Sequence, residues 1–303
     1  MIYGLKRIAR YLLGTDKAGR QLRVYDDDTF IVSYPRSGNT WTRFLVANLI
    51  RPSEEITFAN IERMIPDAEA QSSRFLLHTP RPRIIKTHEY FDHRYPRVIY
   101  VVRDPRDVVL SYYNFQRKYR QIGDNHPLAN YVSEFVNGRL ISADWGTWGE
   151  NVGSWLARAA RPGFLLVRYE DLLTQPVVEL GRVASFLGVP SSPDLLSIAL
   201  QKSSAQRMRD LERAQGAEWV STKGKREDIP FIGAASAGNW QNKLLPESVA
   251  EIENKWGPIM ETLGYVLAGT SSGTTRQQFL SRTMNGSRAE EKAPESPAAE
   301  LRA

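Results

Sequence analysis

The 303-residue chain contains no cysteine, which excludes disulfides and thiolate-bound metals and leaves the redox compartment unreadable. Only four histidines are present. His88 and His93 miss the i, i+4 spacing of a helical zinc pair, so no metal site is expected. No run approaches the roughly eighteen apolar residues of a membrane-spanning helix, and the first residues lack the long apolar stretch and small-residue cleavage site of a secretory signal. A cytoplasmic protein is the expectation. Internal repeats are absent as well.

What is present fits an ordinary globular domain, with 42% hydrophobic and 24% charged residues. The net charge of +6 points to an anionic partner: nucleic acid, an acidic membrane surface or a phosphate-bearing cofactor. Residues 1–23 interleave Leu5, Ile8, Leu12 and Leu13 with Lys6, Arg7, Arg10, Lys17, Arg20 and Arg23. That pattern suits a basic amphipathic helix, either packed on its own domain or in peripheral contact with a membrane. Residues 24–268 carry the apolar periodicity of one domain. From 269 to 303 Ser, Gly, Thr, Arg, Glu and Pro dominate, and a disordered tail is expected.

Short apolar runs at 30–32, 83–86, 98–102 and 164–168 read as strands. Helical spacing is visible at 41–50, after Pro105 through Val108, Val109, Tyr112, Tyr113 and Phe115, and at 128–137, 149–159, 177–187, 194–200 and 247–262. Strands alternating with helices predict an α/β fold, a three-layer P-loop-like arrangement with a central, mostly parallel sheet flanked by helices.

The first strand runs through Ser33-Tyr34-Pro35-Arg36-Ser37-Gly38-Asn39-Thr40-Trp41 into a helix. A loop between strand and helix N-terminus collects unpaired N–H groups and the positive end of the helix dipole, so it binds anions. Against the nucleoside-triphosphate pattern G-x-x-x-x-G-K-[ST], the window keeps Gly38 and Thr40 but has Ser33 for the first glycine and Asn39 for the lysine. The cation stands three positions earlier, at Arg36. A kinase or NTPase is therefore the weaker reading, all the more without an apolar strand ending in a magnesium-binding aspartate. A non-enzymatic basic module for nucleic acid or membrane is the other alternative. A second anion site is suggested by Arg103 at a strand end and Ser111 eight residues on, although Asp104-Pro105 reads equally well as a plain helix start.

Taken together, the loop at 34–41, Lys86-Thr87-His88, Arg103-Asp104-Pro105-Arg106-Asp107 with Ser111-Tyr112-Tyr113, Tyr169-Glu170-Asp171-Leu172 and Gly238-Asn239-Trp240 resemble the sulfotransferases that use 3′-phosphoadenosine 5′-phosphosulfate (PAPS). The resemblance spans roughly residues 30–265. It implies that Arg36, Ser37, Gly38, Asn39, Thr40 and Trp41 bind the 5′-phosphosulfate, that Arg103 and Ser111 bind the 3′-phosphate, and that Tyr169 lies near the adenine. Gly238 and Asn239 belong to the same donor site by this likeness. It further implies His88 as catalytic base, Lys86 as contact to the transferring group, and adenosine 3′,5′-bisphosphate (PAP) as product, with no metal. The acceptor would be a hydroxyl or amine of a small molecule or glycan, and no nucleic acid would be bound.

Three departures from the family pattern stand out. Arg36 replaces a lysine credited with assisting the leaving phosphate; arginine keeps the charge but does not release a proton, so Lys86 is expected to carry more of the charge stabilisation. Gly233 stands where a basic residue precedes the Gly-Asn-Trp run, with Lys223, Lys225 or Arg226 as candidate substitutes. Ala205 replaces a phenylalanine that packs on adenine, a role Trp41 is expected to fill. Tyr90, Phe91, Tyr112, Tyr113, Trp145, Trp148 and Trp219 are candidates for an acceptor pocket, or for core. Oligomeric state and acceptor identity are not readable.

Overall fold

A computed structural model of the protein describes residues 16–140, 145–233 and 235–269. The expected disordered tail lies outside the described residues but for Gly269, and so does most of the amphipathic segment. Of the latter, Gly19–Gln21 form a 3₁₀ turn with Ala18 and Leu22 buried.

Among the described residues four strands build one parallel sheet in the order β2-β1-β3-β4: β1 is Thr29–Ser33, β2 Ile84–Thr87, β3 Arg97–Val102 and β4 Phe164–Arg168. Their apolar runs are short and nearly unbroken, as a strand covered on both faces requires. Residues along β1 and β3 alternate between two cores. Phe30, Val32, Val98, Tyr100 and Val102 face one side, and Ile31, Ile99 and Val101 face the other.

The helices sort accordingly. In chain order they are α1 (Asn39–Ile50), α2 (Ile61–Met64), α3 (Ser73–Leu77), α4 (Pro105–Lys118), α5 (Leu128–Val136), α6 (Trp148–Leu156), α7 (Tyr169–Thr174), α8 (Pro176–Leu187), α9 (Pro193–Lys202), α10 (Ala205–Gln215) and α11 (Pro246–Thr262). Val108 of α4, Phe135 of α5, Trp155 of α6 and Trp256 of α11 pack on the first face. On the second face lie Phe44 of α1, Val183 of α8, Leu196 of α9 and Met208 of α10. This is the three-layer α/β arrangement that the strand–helix alternation predicts.

Boundaries agree with the sequence reading to within a few residues, because caps and prolines mark them. Pro105, Pro176, Pro193 and Pro246 each open a helix, and Asp104 accepts a hydrogen bond from Arg106 N, 2.9 Å. Helix α6 starts with a capping box between Thr147 and Glu150. Helices α2, α3, α7 and α10 are not anticipated by periodicity. In α10 only Met208 and Leu211 are buried, too few apolar positions to mark a stripe; the signal that was available is Ser204, whose side chain caps Arg207 N.

The order β2-β1-β3-β4 places the site. The chain leaves β1 toward β2 on one side, then returns to β3 on the other, so a crevice opens at the carboxyl ends of β1 and β3. In open α/β sheets such a switch point is where ligands bind.

Candidate active site

At that crevice lies a cavity of about 1090 Å³. Its wall includes Arg36, Gly38, Asn39, Thr40 and Trp41 after β1, His88 after β2, Arg103 and Ser111 after β3, and Tyr169 after β4; Asn239 joins from the C-terminal part. Strand-end residues from Arg36 to Tyr169 are thus brought together by the parallel register, which aligns Val32 with both Thr87 and Tyr100.

The loop after β1 turns on Gly38, at φ 98°. A Cβ there would lie 2.5 Å from Tyr169 Cδ2, so both the backbone and the ring demand glycine. The first-turn N–H groups of α1 have no intrahelical partners, and Asn39, Thr40 and Trp41, which carry them, line the cavity. Asn39 sends its amide back to β1, donating to Ser33 Oγ at 3.1 Å and Ile31 O at 3.3 Å, and so pins the loop to the strand. Ser37 is fully buried, its hydroxyl without a partner, and it does not reach the wall. Trp41 donates Nε1–H to Ser203 O, 2.9 Å, and meets Tyr169 edge-on at 5.7 Å. Together they wall the space next to Ala205.

Arg36 adopts φ 70°, a left-handed conformation that costs a non-glycine residue on the order of 1–2 kcal/mol. Its guanidinium crosses the cavity. Nε donates to Ser111 Oγ at 3.1 Å and Nη2 to Phe231 O at 2.9 Å, between the rings of Phe115 and Phe231 at 5.1 and 4.6 Å. All these partners are uncharged. Burial, with Arg103 adding to it, pulls its pKa down to about 10. Arg103 lies over the Tyr169 ring at 4.4 Å and donates to Ser236 O at 3.0 Å, while its Nε is buried without a partner. These cations, a spare buried donor and the glycine cradle fit a ligand with two anionic groups.

His88 is held through Nδ1 and through its backbone. Its Nδ1 lies 2.7 Å from Ser33 O; a carbonyl accepts, so the proton sits on Nδ1 and Nε2 is left as the acceptor. Asn151 Nδ2 donates to His88 O at 3.0 Å, and Tyr100 OH fixes Asn151 Oδ1 at 2.9 Å. Burial, then the nearby Lys86 ammonium, pushes the imidazole down to about 3, so it is neutral at pH 7. Trp145 flanks it edge-on at 6.1 Å.

Lys86 is the departure. Expected at the transferring group, it is absent from the cavity wall, and its ammonium donates to Asp67 Oδ2 at 3.0 Å and Glu69 Oε2 at 2.8 Å. The carboxylates come from the segment after α2, which bridges to β2 at Asp67 and Lys86. A spacing rule has no access to that pairing. Asn151 was equally hidden, since a polar residue within a helix is ordinarily solvated.

The remaining expectations divide. Gly238 N donates to Asp107 Oδ2 at 2.6 Å, so this peptide is committed to the first turn of α4 and does not line the cavity. Arg226 is clasped by Asp124 and Asp228, Lys225 sits on the Tyr119 ring, and neither they nor Lys223 reach the wall; Lys243 does. Of the candidate acceptor aromatics, Tyr112 and Trp145 line the cavity, while Trp148 and Trp219 are core. Phe115, Tyr119 and Phe231 complete an aromatic wall that the sequence reading did not assemble. Among the described residues no cluster of His, Cys, Asp or Glu has the make-up of a metal site, and no helix is long and apolar enough to cross a membrane.

Residues 26–264 match the family described as "Sulfotransferase domain". Among curated proteins, Sulfotransferase 1C2 of Oryctolagus cuniculus is 28% identical over 253 residues, 78% of this chain and 83% of that one. The 3-beta-hydroxysteroid sulfotransferase of Cavia porcellus is 28% identical over 243 residues, 76% and 82% of the two chains. Among solved structures the fold is similar to retinol dehydratase in complex with androsterone and inactive cofactor PAP, with a TM-score of 0.66 at 18% identity over 86% of each chain. Mouse sulfotransferase SULT7A1 complexed with PAP gives 0.64 at 20% identity over 82% of this chain and 91% of that one.

Proposed function

The chain belongs to the sulfotransferase family, and from that premise we propose that it moves a sulfuryl group from PAPS to a hydroxyl of a small molecule, with His88 as base. The observation that carries the reading is the convergence of Arg36, Arg103, Ser111 and His88 on one cavity at the switch point of the sheet. PAPS supplies an activated sulfuryl group on a phosphate leaving group. Arg103, with its unpartnered Nε, and the Ser111 hydroxyl hold the 3′-phosphate; the N–H groups after Gly38 hold the 5′ side, and Tyr169 with Trp41 walls the base.

His88 Nε2 takes the proton from the acceptor hydroxyl as the acceptor oxygen bonds to sulfur. The sulfur–oxygen bond to the leaving phosphate breaks, and its electron pair stays on that phosphate. A neutral imidazole whose other nitrogen is tied to Ser33 O is in the right tautomer for this. Arg36 stabilises charge on the transferred group by electrostatics, since it gives up no proton. Tyr112, Trp145, Phe115 and Phe231 receive a largely apolar acceptor; names of relatives such as 3-beta-hydroxysteroid sulfotransferase favour an alcohol or phenol over a glycan. Lys243, exposed and in the cavity wall, is a better substitute for the basic residue replaced by Gly233 than Lys223, Lys225 or Arg226.

Two measurements test this. PAP should raise the melting temperature clearly more than AMP or ATP at equal concentration, since binding to the folded state alone stabilises it; equal shifts would remove the 3′-phosphate site. In the second, His88→Ala should keep PAP binding and lose transfer of label from PAPS to phenols and alcohols by about 100-fold or more. Retained turnover would remove His88 as base.

A further inference from the structure

Glu69 takes part in no step described above, yet it touches three consecutive residues of the β2 end. Lys86 Nζ donates to its Oε2 at 2.8 Å, and Thr87 Oγ1 and the His88 backbone N–H both donate to its Oε1, at 2.7 and 2.5 Å. The carboxylate arrives there because residues 66–68 run alongside β2, with Lys86 N on Pro66 O at 2.8 Å and Ala68 N on Lys86 O at 2.9 Å. Glu69 is the next residue, where β2 gives way to the cavity.

We infer that Glu69 is a positioning residue for His88, its Oε1 fixing the peptide from which the imidazole base projects. This rests on the proposed role of His88. The ring then has two independent anchors, Ser33 O on Nδ1 and Glu69 on the backbone, while Asn151 holds the carbonyl. Neutralising Lys86 does not explain Glu69, because Asp67 already faces the ammonium at 3.0 Å. A second carboxylate beside the buried Asp67 is costly, and desolvation together with the Asp67 charge raises Glu69 above the usual carboxylate range. What Glu69 does that Asp67 does not is bind the peptide of His88. A misplacement of about 1 Å at a reacting group costs on the order of 100-fold in rate, so the anchor has a kinetic consequence.

The test compares Glu69→Asp, Glu69→Ala, Glu69→Gln and Asp67→Asn, all with PAP bound, by hydrogen exchange at the His88 amide and by turnover of 2-naphthol as probe acceptor. Glu69→Asp keeps the charge opposite Lys86 but withdraws the carboxylate by about 1.5 Å. Expected are lost amide protection and a kcat reduced on the order of 10- to 100-fold in Glu69→Asp and Glu69→Ala, with PAP affinity within about twofold of wild type. Glu69→Gln, whose amide oxygen still accepts, should restore both readouts, and Asp67→Asn should leave both near wild type. Full protection and full turnover in Glu69→Asp would overturn the inference, as would equal losses in Asp67→Asn. Should Glu69→Ala not fold, Glu69→Asp alone decides; should 2-naphthol not react, the amide exchange decides. A His88→Ala protein that still turns over removes the base and leaves the exchange result standing.

Discussion

Two cations stand at neighbouring strand ends, Arg36 after β1 and Lys86 at the end of β2, and they meet opposite fates. Arg36 reaches a hydroxyl, a carbonyl and two aromatic rings, none of which cancels its charge. Lys86 meets two carboxylates and is neutralised. The first cation is therefore available to an anion that enters the cavity, and the second is bound into the scaffold beneath His88. What a lysine or arginine contributes to a site depends on whether its partners are neutral or ionised, and that is decided by which segment packs beside it.

The largest expected effect comes from breaking the second case. Lys86→Met leaves the buried Asp67 and the half-buried Glu69 without their cation, and the loss of one partner of a buried ion pair costs about 3–5 kcal/mol; denaturant unfolding should show it, with kcat less affected than stability. A folded variant of undiminished stability that has lost turnover would put Lys86 back at the transferring group. Next is Arg36→Ala, expected to lower kcat on the order of 100- to 1,000-fold, as does removal of one preformed charge stabiliser. Its melting temperature should hardly move, because Ser111 and Phe231 O are left facing a cavity open to water.

The smallest effect is a pH dependence. Burial lowers His88 from 6.5 to about 3, so below pH 6.5 the unfolded chain takes up a proton that the folded chain refuses. Stability from this residue is present above pH 6.5 and lost as pH falls toward 3. Melting temperatures between pH 7.5 and 5 should drop more steeply for wild type than for His88→Asn. PAP should flatten the wild-type slope, since its phosphates favour the imidazolium.

Much of the fold was legible because its signals are local. Unbroken apolar runs such as Val98–Val102 mark strands covered on both faces, prolines at 105, 176, 193 and 246 mark helix starts, and Gly38 marks a turn that tolerates no side chain. The donor-side residues were legible by likeness to a family whose motifs are themselves contiguous pieces of strand, loop and helix. Helix α10 was not, with its two buried apolar residues, and neither was the role of Lys86. Its partners Asp67 and Glu69 lie 17 to 19 residues away on an irregular segment that no periodicity flags.

By itself the sequence determined the alternation of strands and helices, the anion loop at 34–41 and the absence of the triphosphate lysine, because each depends on neighbours within a few residues. Only the tertiary structure decided that Arg36 reaches Ser111, that Lys86 turns to Asp67 and Glu69, and that Ser33 and Glu69 anchor His88. Those pairings follow from strand order and register, which bring distant side chains within hydrogen-bond range and cannot be read from spacing along the chain.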